Sequence, residues 1–217
     1  MYSSQLGKDI KGAIFDMDGL LINSEQLYYE AGLAVIEKDN LPIPKKAYLD
    51  IKGYSSDQFK KFYLNFIDEK TFANFMKQTN SYVEQAINSG KLQLMPGVKQ
   101  LINQLKQAGV KLGIASNNHR VFIEQVLTQL AIRNCFDVIL SHEAVNQPKP
   151  SPDIYCAAQK KLAIAPSQLI VFEDSGPGIK AANGAGIDSV LVPDLRDATA
   201  KERQQATLTL DSLSQFN

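Results

Sequence analysis

Five short apolar runs punctuate the chain: 12–16 (GAIFD), 110–116 (VKLGIAS), 136–141 (FDVILS), 169–174 (LIVFED) and 188–193 (DSVLVP). Each is continuous rather than alternating, the pattern of a strand covered on both sheet faces. Helical periodicity fills most of the gaps. In PGVKQLINQLKQAG, Val98, Leu101, Ile102 and Leu105 recur at helical spacing, with Pro96 placed to precede or start the helix and Gly109 to stop it. SPDIYCAAQKKLA opens on Ser151 as N-cap and Pro152 at the first helical position, and GIKAANGAG reads as a short helix ending near Gly186. This alternation predicts an open α/β fold with a parallel sheet.

Residues 24 to about 90 break the alternation. SEQLYYEAGLAVIEKDN, SSDQFKKFYLNFI and KTFANFMKQTNSYVEQAINSG are helical in pattern and carry most of the aromatics. The economical reading is a helical cap inserted into the sheet domain. The core is then 1–22 and 96–217 and the cap 23–95, with two neighbouring chain crossings as a natural hinge. The aromatics of 54–82 read as the cap's own core.

What ends each strand is polar. The first ends in Asp16, with Asp18 just beyond; the second in Ser116-Asn117-Asn118; the third in Ser141, before a loop reaching Lys149; the fourth in Glu173-Asp174. Ligands of open α/β sheets bind beyond the carboxyl ends of the strands, so parallel strands bring these segments together. Singly, each has a plainer reading: D-x-D-G is common in turns, Ser116-Asn117-Asn118 could cap a helix, and Glu173-Asp174-Ser175 could be N-cap chemistry. Together they make four acids against one lysine. Two carboxylates ~5 Å apart repel by roughly 3 kcal/mol at an effective dielectric of about 20. Raised pKa values or a bound cation must relieve this, and Mg²⁺, with oxygen ligands and a substrate phosphate, fits. A carboxylate can then attack phosphorus while a second acid protonates the leaving alkoxide and later activates water. Asp16, at the strand end, is the expected nucleophile and Asp18, on the turn, the acid/base.

Composition narrows the partners. With 217 residues, 44% apolar and 21% charged, the chain is ordinary for a globular protein. A formal net charge of +0 gives no global field for nucleic acid or an acidic membrane, and is compatible with a monomer. The apolar runs fall short of the ~18 residues of a membrane span, and MYSSQLGKDIKG has no signal-peptide core. Two cysteines, Cys135 and Cys156, cannot build a disulfide framework, which suits a reduced, cytoplasmic compartment. The two histidines, His119 and His142, lie in different segments without ligand spacing. They read as surface or capping residues, and no zinc site is expected.

Four motifs in order resemble the haloacid-dehalogenase-superfamily hydrolases, in the branch of β-phosphoglucomutases and small-cap phosphatases. These are FDMDGLLINSE, GIASNN, KPSPDIY and VFEDSGPGIKAANGAG. The resemblance spans nearly the whole chain. It implies a Rossmann-like core, Mg²⁺ and an aspartyl-phosphate intermediate. It also implies metal ligation by Asp16, the backbone at Asp18, and Asp174 with Glu173 adjacent. Ser116 would bind phosphate, and IKGYSSDQF resembles the cap's substrate loop. The implied substrate-binding set is Lys52, Gly53, Ser116, Asn117 and Lys149. The superfamily's dehalogenases lack the second aspartate, so Asp18 argues against dehalogenation. Mutases of the branch usually carry an arginine where Ser56 stands and a histidine where Tyr28 stands. The expected activity is therefore a phosphatase of small phosphorylated metabolites, with a hexose phosphate mutase as the alternative.

Overall fold

The computed structural model describes residues 1–51 and 56–217. The chain divides into two compact units, Met1–Ile22 with Leu94–Asn217, and Asn23–Gln93. It opens with β1 (Tyr2–Ser3), β2 (Lys8–Asp9) and β3 (Gly12–Phe15). Four helices follow: α1 (Ser24–Lys38), α2 (Ala47–Asp50), α3 (Ser56–Tyr63) and α4 (Glu69–Asn88). Alternation then begins with α5 (Val98–Gln107), β4 (Lys111–Ala115), α6 (Arg120–Gln129), β5 (Val138–Leu140) and α7 (Asp153–Leu162). It ends with β6 (Leu169–Glu173), α8 (Gly176–Gly184), β7 (Asp188–Leu191), α9 (Ala200–Gln205) and β8 (Leu208–Thr209).

β3 to β8 form a six-stranded sheet of order β5-β4-β3-β6-β7-β8, and every pair in it is parallel. β1 and β2 form a separate antiparallel hairpin. β3 lies between β4 and β6, with Phe15 opposite Ile114 on one side and Phe172 on the other. The chain winds outward from β3 in one direction and then in the other, so the loops after β3, β4 and β6 diverge there. This is the topological switch point, where α/β sheets take their ligands. β3 is buried throughout, and a Cβ at Gly12 would come within 2.6 Å of Leu169 and 2.8 Å of Ile164. Below the sheet, Ile154, Tyr155, Ala158 and Leu162 of α7 meet Ile14, Ala115, Leu140 and Val171.

Within the first unit, Ile22 and Leu94 pair as an antiparallel bridge, so the chain leaves and re-enters the unit through paired residues. The described residues of the second unit are helical, with no strand. Its core gathers Val35, Ile36, Ile43, Ala47, Ile51, Tyr63 and Phe75, with Phe59, Phe62, Phe66 and Phe72 packed around them. These aromatics are core residues, as expected; Tyr82 is exposed instead, and Tyr54 lies outside the described residues. No helix among the described residues is long and apolar enough to cross a membrane.

Pro96 precedes α5, as expected, and Gly97 is the N-cap, in the left-handed region at φ 83°. The start of α7 differs from expectation. Pro152 is the N-cap of α7, and Ser151 sits one residue outside, its Oγ hydrogen-bonded to the Asp153 carboxylate at 2.8 Å. Helix ends are fixed by such local partners more than by the hydrophobic period.

Gly97 and Gly109 form a contrast that can be measured. Both have positive φ, but a Cβ at Gly97 would lie 2.3 Å from the Ser214 nitrogen, whereas Gly109 has nothing within 4 Å. Gly109→Ala should cost only the left-handed penalty, ~1–2 kcal/mol. Gly97→Ala should cost visibly more in a denaturation experiment. Equal losses would mean that the Ser212–Gln215 turn yields freely.

Candidate active site

Asp16 directly follows β3, and its N–H donates to the Phe172 carbonyl at 3.0 Å, extending the ladder one residue. The preceding Phe15 ring stacks on Phe172 at 4.9 Å, which fixes the strand end and the direction of the aspartate. Asp16 is 8% exposed. Its Oδ1 accepts a hydrogen bond from Lys149 Nζ at 2.5 Å. The same ammonium donates to Glu173 Oε1 at 2.7 Å and to the Ala115 carbonyl at 2.8 Å. An ammonium has three N–H donors, and here each has an acceptor, from the ends of three adjacent strands.

Glu173 is fully buried and its carboxylate is saturated. Oε1 accepts from Lys149 and from the Tyr155 hydroxyl at 2.6 Å. Oε2 accepts from Ser175 Oγ at 2.9 Å and from the backbone N–H groups of Asp174 and Ser175. It thus sits at the positive end of α8, whose N-cap, Ser175, accepts from the Gly178 N–H. A Cβ on Gly178 would fall 1.8 Å from the Glu173 carboxyl carbon, so glycine is obligatory there. Of the two expectations for 173–175, the N-cap is observed in Ser175, and the acidic Glu173 holds Lys149 beside it.

The charges explain one another. Burial pushes the Asp16 carboxyl up, Lys149 draws it down, and Glu173, Asp174 and Asp18 push it up again, for a net rise. Burial draws Lys149 down, but Asp16 and Glu173 outweigh it and the amine is held well above its usual range. Burial and then Glu173 raise the Tyr155 phenol, which stays a donor. Oxygens of Asp16, Glu173 and Asp174 lie within 4.8 Å of one another. An all-oxygen, carboxylate-rich set with too little positive charge suits a hard divalent cation. Glu173, with both oxygens already accepting, has less capacity to spare than Asp16.

Asp18 has other surroundings. It is half-buried on a turn where the Leu21 and Ile22 N–H groups donate to Met17 and Gly19 takes φ 71°. Its carboxylate accepts from the side-chain amide of Asn118. Ser116 is fully buried, and its Oγ accepts the Asn118 N–H at 3.1 Å. Asn117 Oδ1 accepts the Lys149 N–H at 3.2 Å, fastening the two loops together. Asp16, Asp18, Ser116, Asn117, Lys149, Glu173 and Asp174 therefore all belong to the carboxyl ends of β3, β4 and β6 and the loop before α7. Lys52 and Gly53, and the side chain of Ser56, lie outside the described residues.

Tyr155 and Asn118 were not singled out from the sequence. Asn118 stood within a noted polar cluster, but Tyr155 occupies an apolar helical position and carries no mark of its polar task. His119 is an exposed residue at the N-cap of α6, as expected, although it makes no side-chain cap bond, and its ring lies 4.4 Å from that of His142, a meeting the sequence did not predict.

Residues 13–192 match the family described as haloacid dehalogenase-like hydrolase. A phosphorylated carbohydrates phosphatase of Thermotoga maritima is 30% identical over 194 residues, covering 88% of this chain and 89% of that protein. Hexitol phosphatase B of Escherichia coli is 31% identical over 193 residues, covering 86% and 85%. The solved structure of a putative beta-phosphoglucomutase from Thermotoga maritima is similar with a TM-score of 0.76 at 28% identity, over 94% of this chain and 95% of that one.

Tyr155→Phe should remove one donor from a buried carboxylate while keeping the ring. A hydrogen bond to a charged group contributes ~1.5–3 kcal/mol, and a loss of that size is expected in chemical denaturation. An unchanged midpoint would contradict the saturated state of Glu173.

Proposed function

The chain belongs to the haloacid dehalogenase-like hydrolase family, and from that premise we propose that it is an Mg²⁺-dependent phosphatase of small phosphorylated metabolites, sugar phosphates among them. One observation carries the reading. The two aspartates of the first motif have different partners: Asp16 is buried against Lys149, and Asp18 is half-buried against an amide. That difference fits a division between nucleophile and proton carrier.

Asp16 and Asp174, with the backbone at Asp18, would hold Mg²⁺, and Glu173 would act mainly by holding Lys149 in place. The bound ion would supply charge neutralisation for the phosphoryl oxygens. Ser116 would position those oxygens, and Lys149, whose three N–H donors are engaged, would offset their charge. An Asp16 carboxylate oxygen bonds to phosphorus as the ester P–O bond breaks, and Asp18 gives its proton to the departing alkoxide. Asp18, now a carboxylate, takes a proton from water. The water oxygen bonds to phosphorus, and the acyl phosphate opens to release phosphate and restore Asp16. The phosphatase names of the relatives support hydrolysis over dehalogenation, as does the presence of Asp18.

A screen of phosphorylated sugars and polyols for phosphate release tests the reading. Release should require Mg²⁺, vanish with EDTA and return when Mg²⁺ is restored. Asp16→Asn should abolish turnover. Asp18→Asn should lower it by ~10²–10⁴-fold while Mg²⁺ still binds. Full turnover in Asp16→Asn would overturn the mechanism. Interconversion of β-glucose 1-phosphate and glucose 6-phosphate without net phosphate release would establish the mutase instead.

A further inference from the structure

A second cluster of donors stands outside the carboxylate site. His119, at the start of α6, and His142, just after β5, meet because β4 and β5 are neighbours in the sheet. Glu143 joins them. His119 Nδ1 lies 2.9 Å from Glu143 Oε1 and 3.0 Å from His142 Nε2. The latter two atoms are 4.0 Å apart.

Hydrogen bonding does not account for this arrangement. An imidazole nitrogen has a single in-plane bonding direction, carrying either a proton or a lone pair. His119 Nδ1 can therefore donate to the carboxylate or accept from His142, but it cannot do both. A cation removes the conflict, because each of the three atoms then offers it a lone pair.

The spacing also suits a cation. The three separations form a nearly right-angled triangle. The point equidistant from its corners falls close to the middle of the 4.0 Å side. It is about 2.0 Å from every donor, which is the length of a metal–imidazole or metal–carboxylate bond. Two donors then lie nearly opposite and the third at a right angle to both, an arrangement more tetragonal than tetrahedral.

The ligands are already oriented. Glu143 Oε2 accepts from the buried Ser141 Oγ at 2.6 Å and from the Arg120 N–H at 2.9 Å, which turns Oε1 towards the histidines. Outer hydrogen bonds of this kind are how metal sites fix their first ligands. The His119 side chain is 75% exposed, so solvent can fill the open positions.

We propose that His119, His142 and Glu143 form a binding site for a divalent transition-metal ion of the Cu²⁺ or Ni²⁺ type, separate from the carboxylate site. The site ties the loop after β4 to the turn after β5. That loop carries Asn118, whose carbonyl accepts the His142 N–H at 3.3 Å and whose amide holds Asp18.

The test uses the full chain without an affinity tag, with Mg²⁺ in excess, titrated with Cu²⁺ and read by electron paramagnetic resonance. One equivalent should bind with hyperfine coupling to two imidazole nitrogens, which the carboxylate site cannot supply. His119→Ala and His142→Ala should each lose one nitrogen coupling and bind at least ~10-fold more weakly. Glu143→Gln should weaken binding but keep both couplings. A spectrum without nitrogen coupling would overturn the site, as would one unchanged in both histidine variants. The three variants touch surface groups, and circular dichroism of each shows that a loss reflects the site and not unfolding.

Discussion

A single buried ammonium organises the acidic edge of the sheet. Lys149 is held by acceptors at the ends of β3, β4 and β6, and removing the ammonium would leave the Asp16 and Glu173 carboxylates facing each other uncompensated in a dry environment. Breaking a buried pair in this way typically costs ~3–5 kcal/mol, more than most surface interactions contribute. Much of the local sequence serves this point. Tyr155 and the start of α8 complete the shell of Glu173, Gly178 makes room for it, and Asn117 secures the lysine's own backbone. The strand order 5-4-3-6 is what allows one atom to touch all three strand ends.

The same side chain type meets unlike surroundings at Asp16 and Asp18 because position, not identity, sets its partners. Two residues separate a carboxylate facing a fixed cation from one facing a neutral amide. The first is tethered by the sheet ladder, and the second rides on a turn with a left-handed glycine. A strand end supplies rigidity and a turn supplies reach, so the D-x-D spacing crosses from one regime to the other within a single motif.

What was legible in the chain follows from length and periodicity. Strands β3 to β7, of three to five residues, announced themselves as unbroken apolar runs, and their polar ends marked the candidate site because a parallel sheet collects them on one edge. β8 and the β1–β2 hairpin, with two residues per strand, are too short to show a period. α9 carries a capping box, Thr199 with Glu202, which the residues TAKE spell out but which its shortness conceals. Tyr155 reads as core because its ring packs in the core cluster, while its hydroxyl meets Glu173 and its ring face meets the Lys149 ammonium. His119 and His142 are 23 residues apart, and no spacing rule joins them. Their meeting depends on which strands are neighbours, a property of topology that local pattern does not carry.

The bridge between Ile22 and Leu94 has an evolutionary consequence. Because the chain departs and returns through paired residues, the sheet unit needs nothing from the length or shape of what lies between them. Closing a longer excursion costs little, since loop entropy grows only with the logarithm of length. The intervening segment can therefore be exchanged, lengthened or redrawn while the residues around Lys149 stay in register.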